Sequence, residues 1–202
     1  MDPDGRSNNV VVIGEPNGAG QNFEIAGNTW ISENIKDTDS LKVFYAKDFN
    51  NATDLKDAIK EAFGDKGIDN LAYFGHSYYG GLTTQADDRT RTYRPDADAW
   101  IESFNGIKFN TGANIYLFGC NAGNKKVAAL ENQLCVAQKF ANETGATVWG
   151  FSSYSFATDE YALGHGERLP TNNDVNSKLP NTTKKAWFVA TNGKGLIKFT
   201  KQ

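Results

Sequence analysis

Apolar residues along this chain gather in short continuous runs, and the residues between them are polar or helically spaced. Val10-Val11-Val12-Ile13 is such a run, ending at Gly14 and a turn-rich stretch from Glu15 to Gly20. Unbroken apolarity, as opposed to alternation, marks a strand covered on both faces. The same pattern predicts strands over Leu41–Ala46, Asn70–Phe74, Asn114–Phe118 and Thr147–Phe151. Between them, Phe23–Ile35 reads as a less regular helix that carries Gly27. Leu55, Ala58, Ile59, Ala62 and Phe63 recur at helical spacing between a cap at Asn51 and a stop at Gly64. Val127, Leu130, Leu134, Ala137 and Ala141 predict one continuous helix that starts beyond Asn124, contains Cys135 and stops at Gly145. The stretch Thr83–Arg94 is too polar for the core, and Tyr154–Thr183 reads as loop. Lys185–Phe199 predicts a terminal pair of strands turning around Asn192-Gly193.

Strands that alternate with helices imply an α/β fold, with a mostly parallel central sheet flanked by helices on both faces. The 202 residues suit one domain. With 13 Phe, 8 Tyr and 4 Trp, the chain can fill a core. A net charge of -3, with scattered lysines and arginines, lacks the concentrated basic face that a nucleic-acid partner requires. Pairs such as Lys125-Lys126 and Lys184-Lys185 read as solvated surface, and the aromatics Trp149, Phe151, Tyr154 and Phe156 as core and pocket wall. No apolar run is long enough for membrane insertion, and Met1 to Arg6 does not read as a signal peptide. Two cysteines fifteen positions apart do not make a disulfide framework, so a free thiol is expected.

Two of the expected strands end alike. Phe74-Gly75-His76 and Phe118-Gly119-Cys120 each place a glycine and then a reactive side chain after a buried run. In parallel α/β sheets the carboxyl ends of strands line the ligand crevice. Neighbouring strands run roughly 4.8 Å apart, close enough for an imidazole and a thiol to act on one substrate. Alone, a cysteine behind a strand reads as a small core residue and a histidine as a satisfied polar one. Together they suggest a thiol nucleophile and its proton carrier, with thiol acidity raised by an imidazolium or by the following helix N-terminus. Backbone N–H groups of Cys120 and Ser77, shaped by Gly75 and Gly119, are candidates for holding an oxyanion.

These motifs resemble the caspase-like superfamily of cysteine peptidases. Leu71-Ala72-Tyr73-Phe74-Gly75-His76-Ser77 is similar to the strand that ends at its catalytic histidine. Ile115-Tyr116-Leu117-Phe118-Gly119-Cys120 is similar to the strand that ends at its nucleophile. The resemblance covers about half the chain, through the strand Thr147–Phe151. It implies a caspase-like three-layer sandwich over residues 9–202 and cleavage of a protein or peptide substrate by Cys120 and His76, with no cofactor. Ser77 stands where the superfamily has glycine. Ser152, Ser153, Phe156 and Asp159 follow the fifth strand and are candidates for the substrate cleft, with Tyr78–Arg94 as its rim. Residues 1–8 carry a second resemblance. Asp2-Pro3-Asp4-Gly5-Arg6 is similar to the boundary that closes Rhs/YD-repeat cores in bacterial polymorphic toxins. That resemblance implies an effector secreted or delivered as the tip of a larger protein, with a cognate immunity protein as partner.

Two other readings compete. Gly75-His76-Ser77-Tyr78-Tyr79 resembles the nucleophile elbow of α/β-hydrolases, with Ser77 as nucleophile and His165 as the only later histidine. Tyr79 stands where the elbow's second glycine should be. A catalytically inert binding module is the second alternative. His76, Cys120, Cys135 and His165 are metal-ligand types, but their spacing forms no close pair, and no metal is expected.

Overall fold

A computed structural model describes residues 5–14, 20–50, 52–83, 106–158, 183–190 and 194–202. Six strands form the central sheet: β1 (Asn8–Ile13), β2 (Ser40–Tyr45), β3 (Ile68–Phe74), β6 (Phe109–Phe118), β7 (Thr147–Gly150) and β10 (Ile197–Phe199). Their order across the sheet is β10-β7-β6-β3-β1-β2. Every pairing is parallel except that of β10 with β7. The expected α/β class with a mostly parallel sheet is therefore observed.

Continuous apolar runs work here because successive side chains point to opposite faces. Val10, Val12, Leu71, Tyr73, Ile115 and Leu117 pack on one face with Leu55 and Ile59 of α2 (Ala52–Phe63) and with Val136 and Phe140 of α4 (Val136–Thr144). Val11, Ile13, Ala72, Phe74, Tyr116 and Phe118 pack on the other with Phe23, Ala26 and Trp30 of α1 (Gly20–Asn34). Both faces of the sheet are thus covered by helices. The chain leaves β1 towards β2 on one side and reaches β3 and then β6 on the other. The change of direction falls between β1 and β3, and in sheets of this kind ligands bind outside the carboxyl ends of the strands near such a point.

Four expectations are corrected. The single helix over 125–144 is two: α3 (Lys125–Leu130) and α4, separated by a break in which Asn132 takes a left-handed φ of 54°. Val127, Leu130 and Leu134 are exposed, so the apolar stripe that suggested one helix is not buried as one, and Cys135 caps α4 instead of lying within a helix. Tyr154–Thr183 is not all loop, because β8 (Ser155–Thr158) lies within it and pairs antiparallel with β9 (Trp187–Ala190). The last two strands do not form a hairpin, since β9 joins β8 whereas β10 joins the edge of the main sheet. Of the aromatic cluster, Tyr154 is 63% exposed, whereas Trp149 stacks on Tyr116 and Phe151 meets Phe118 edge-on. The suggested cap Asn51, the turn Asn192-Gly193 and residues 1–4 lie outside the described residues.

A small hairpin of β4 (His76–Tyr78) and β5 (Gly81–Thr83) follows β3 directly. It occupies the start of the expected rim, and residues 84–94 lie outside the described residues. The Tyr79 carbonyl accepts the Val136 N–H at 2.6 Å, tying the hairpin turn to the start of α4. Among the described residues no helix is long and apolar enough to cross a membrane.

The break between α3 and α4 has a signature opposite to that of a continuous helix. Left-handed backbone favours glycine, so Asn132→Gly should leave stability within about 0.5 kcal/mol and Asn132→Ala should cost about 1 kcal/mol. In an unbroken helix alanine would be the better residue by about 1 kcal/mol. Urea midpoints of the two variants decide between the arrangements.

Candidate active site

The site begins with a register. In the parallel pairing of β3 and β6, Phe74 stands opposite Phe118, and the Gly75 N–H donates to the Phe118 carbonyl at 3.3 Å. His76 and Cys120 therefore each follow by two positions a residue of one matched pair, at the same edge of the sheet. Each side chain also meets the layer built around α1. His76 packs edge-on against Phe23 of α1, with ring centroids 5.0 Å apart. The Cys120 sulfur contacts Ser155 of β8, a strand that packs against α1.

Glycine is required behind both side chains. A Cβ on Gly75 would run into the Tyr73 hydroxyl, which donates to the His76 carbonyl at 2.8 Å. A Cβ on Gly119 would collide with the Ser77 hydroxyl and lie 2.8 Å from the Gly75 carbonyl oxygen. The close approach of the two strand ends requires Gly119 to lack a side chain, whereas Gly75 leaves room for the Tyr73 ring of its own strand.

His76 opens β4 and is half-buried. Its Nε2 is buried and has no hydrogen-bond partner among the described residues. An orphaned buried nitrogen costs about 1–3 kcal/mol, and such atoms recur at functional sites. Burial pushes the imidazole pKa below its ordinary value, so the ring is neutral near pH 7.

Cys120 is half-buried as well. Its Sγ donates to the Ser155 carbonyl at 3.3 Å, accepts the Ser155 N–H at 3.4 Å and lies 3.9 Å from the Ser155 hydroxyl. Burial pushes the thiol pKa up, and the hydrogen bonds from Ser155 only partly offset it. This corrects the expectation of a thiol made more acidic by an imidazolium or a helix N-terminus. The buried His76 ring is neutral, and the helix that follows Cys120 is a six-residue segment capped by the Asn124 side chain. At rest the pair is a protonated thiol and an uncharged imidazole.

The main chain around Cys120 is held from both sides. Its carbonyl accepts the Ser77 hydroxyl at 2.7 Å, and the Asn121 N–H donates to the Ser153 carbonyl at 2.8 Å. Ser77 is thus engaged through its side chain. It lies in a hairpin strand, not on the strand-to-helix turn that a nucleophile elbow needs. Ser152 and Ser153 are half-buried in the turn after β7, and Phe156 is buried in β8. Asp159 and His165 lie outside the described residues.

Sequence reasoning missed three contributors. Ser155 touches the thiol, but a four-residue strand inside a polar stretch gave no periodic signal. Phe23 and Tyr73 read as core residues, and their contacts with His76 arise only from the packing of α1 and β3. Cys135 is a buried free thiol at the start of α4, in the core on the face of the sheet opposite α1. No group of three or more histidine, cysteine or acidic side chains is placed to hold a metal ion among the described residues. No protein-family model matches the chain, and no curated protein is significantly similar to it.

The lowered His76 pKa fixes a direction for stability. The unfolded imidazole takes up its proton near pH 6.5, whereas the buried ring does so only at lower pH. Acidification through the range between those two values therefore favours the unfolded state. Urea midpoints measured from pH 8 to pH 5 should fall more steeply for the wild type than for His76→Asn. Equal slopes would mean that the ring is not held neutral by burial.

Proposed function

We propose that the chain is a cysteine peptidase of caspase-like type, with Cys120 as nucleophile and His76 as proton carrier. The supporting observation is the matched register of β3 and β6, which brings the ends of the two strands to one edge with a glycine behind each reactive residue. In the proposed reaction His76 accepts the thiol proton as Sγ attacks a peptide carbonyl. The tetrahedral oxyanion is held by main-chain N–H groups, with those of Cys120 and Ser77 as candidates. The imidazolium then protonates the leaving amine, and a thioester to Cys120 remains. Water, deprotonated by His76, hydrolyses the thioester and restores the thiol.

Ser155 gives this reading a place for the substrate. Its N–H and C=O both address Sγ, and in a strand these two groups of one residue point the same way. They therefore point away from β9, with which β8 pairs on its other side. An extended peptide lying along that edge would take up hydrogen bonds that the thiol now makes, releasing Sγ for attack. The substrate class is protein or peptide; Ser152, Ser153 and Phe156 belong to the proposed cleft, and Asp159, outside the described residues, is a candidate on sequence alone. The resemblance of residues 1–8 to an Rhs/YD-repeat boundary supports an effector role, with delivery as part of a larger protein and an immunity protein as partner. An inert binding module is favoured by one observation, the raised thiol pKa.

Cleavage of a diverse peptide library separates these possibilities. Cys120→Ala should lose activity by about 10³-fold or more, and His76→Ala by about 10²- to 10⁴-fold. Ser77→Ala should retain measurable cleavage. Full activity in Cys120→Ala with complete loss in Ser77→Ala would turn the assignment to a serine hydrolase. No cleavage by the wild type over the whole library would favour the binding module.

A further inference from the structure

We infer that the Ser77 hydroxyl is a positioning residue for the proposed nucleophile, tying the peptide of Cys120 to the strand that carries His76. The inference rests on the dyad reading above and goes beyond it by giving a role to the residue that departs from the superfamily's glycine.

Three observations carry it. The Ser77 Oγ–H donates to the Cys120 carbonyl at 2.7 Å, a short bond across 43 positions of sequence. That carbonyl belongs to the same peptide unit as the Asn121 N–H, which donates to the Ser153 carbonyl at 2.8 Å. The peptide plane leaving Cys120 is therefore clamped at both ends, by β4 on one side and by the turn after β7 on the other. The following residue, Asn121, has a φ of 58°, where an L residue is not at rest, so the chain direction here depends on such external bonds.

The anchor itself is fixed. The His76 carbonyl is held by the Tyr73 hydroxyl and the Tyr79 carbonyl by the Val136 N–H, so Ser77 sits between two tethered residues of one hairpin. His76 and Ser77 are consecutive, so the bond to Cys120 sets the distance between proton carrier and nucleophile through a single residue. Gly119 leaves the space this requires, since its Cβ would occupy the position of the Ser77 hydroxyl. The same bond directs the Ser77 proton at a carbonyl and not at a base.

A double-mutant cycle tests the role without relying on peptidase activity. Alkylation of Cys120 by iodoacetamide at pH 7.5 is followed by mass spectrometry in the full chain carrying Cys135→Ala. Four forms are compared: the parent, Ser77→Ala, His76→Ala and the double variant. Assistance by His76 should make the parent faster than His76→Ala. Ser77→Ala should slow the parent about five- to tenfold, the range expected for loss of one hydrogen bond, and Ser77→Thr should restore most of the rate. In the His76→Ala background the Ser77 substitution should change nothing, because nothing is left to align. An equal effect of Ser77→Ala in both backgrounds, or none in either, overturns the positioning role while leaving the dyad standing. Identical rates for the parent and His76→Ala overturn the dyad, and the positioning role with it.

Discussion

The pairing of Phe74 with Phe118 is the contact on which the site depends. Their rings stack at 4.6 Å with an interplanar angle of 10°, on the face of the sheet that α1 covers. Trp30 of α1 packs over both, and Phe188 of β9 closes from the side. A stacked aromatic pair contributes about 0.5–1.5 kcal/mol beyond the area it buries. Its larger effect is on register. A slip of one residue between β3 and β6 would turn Phe74 out of this stack and point every inward side chain of the strand to the wrong face. Correct register and correct placement of His76 beside the end of β6 are therefore one constraint.

The electrostatics of Cys120 and His76 favour their uncharged forms. Burial raises the thiol pKa and lowers the imidazole pKa, so both shifts favour the uncharged pair over a thiolate–imidazolium pair. Ser155 supplies the thiol with a donor and an acceptor. Under the proposed function, a peptide that occupies the Ser155 edge removes those bonds and brings a polar carbonyl to the sulfur. Proton transfer to His76 then accompanies attack.

Much of the sheet was legible in the sequence because its central strands are buried on both faces. Val10 to Ile13 and Leu71 to Phe74 admit no solvent-facing position, and an unbroken apolar run reports that directly. The shared ending, glycine and then a reactive residue, was legible for the same reason, since it sits at the end of the strongest signals. The rest was written in long-range contacts. The α3–α4 break escaped because Val127, Leu130 and Leu134 continue the helical spacing although they face solvent. Ser155 escaped because β8 is short and gains its meaning from Cys120, 35 positions away. The thiol's acidity was misjudged because helix position and a neighbouring histidine are visible in a sequence, whereas burial of the sulfur is not.

The central claim is that Cys120 and His76 share one opening, and a charge placed on the sulfur tests it most directly. Carboxymethylation of Cys120 with iodoacetate in the Cys135→Ala protein puts a carboxylate where the substrate carbonyl would stand. The His76 ring resonances, assigned by their absence from the spectrum of His76→Asn, are then titrated by NMR before and after modification. An adjacent carboxylate favours the imidazolium, so the His76 midpoint should rise by about one pH unit or more. An unchanged midpoint would place the two side chains in separate surroundings and contradict the account.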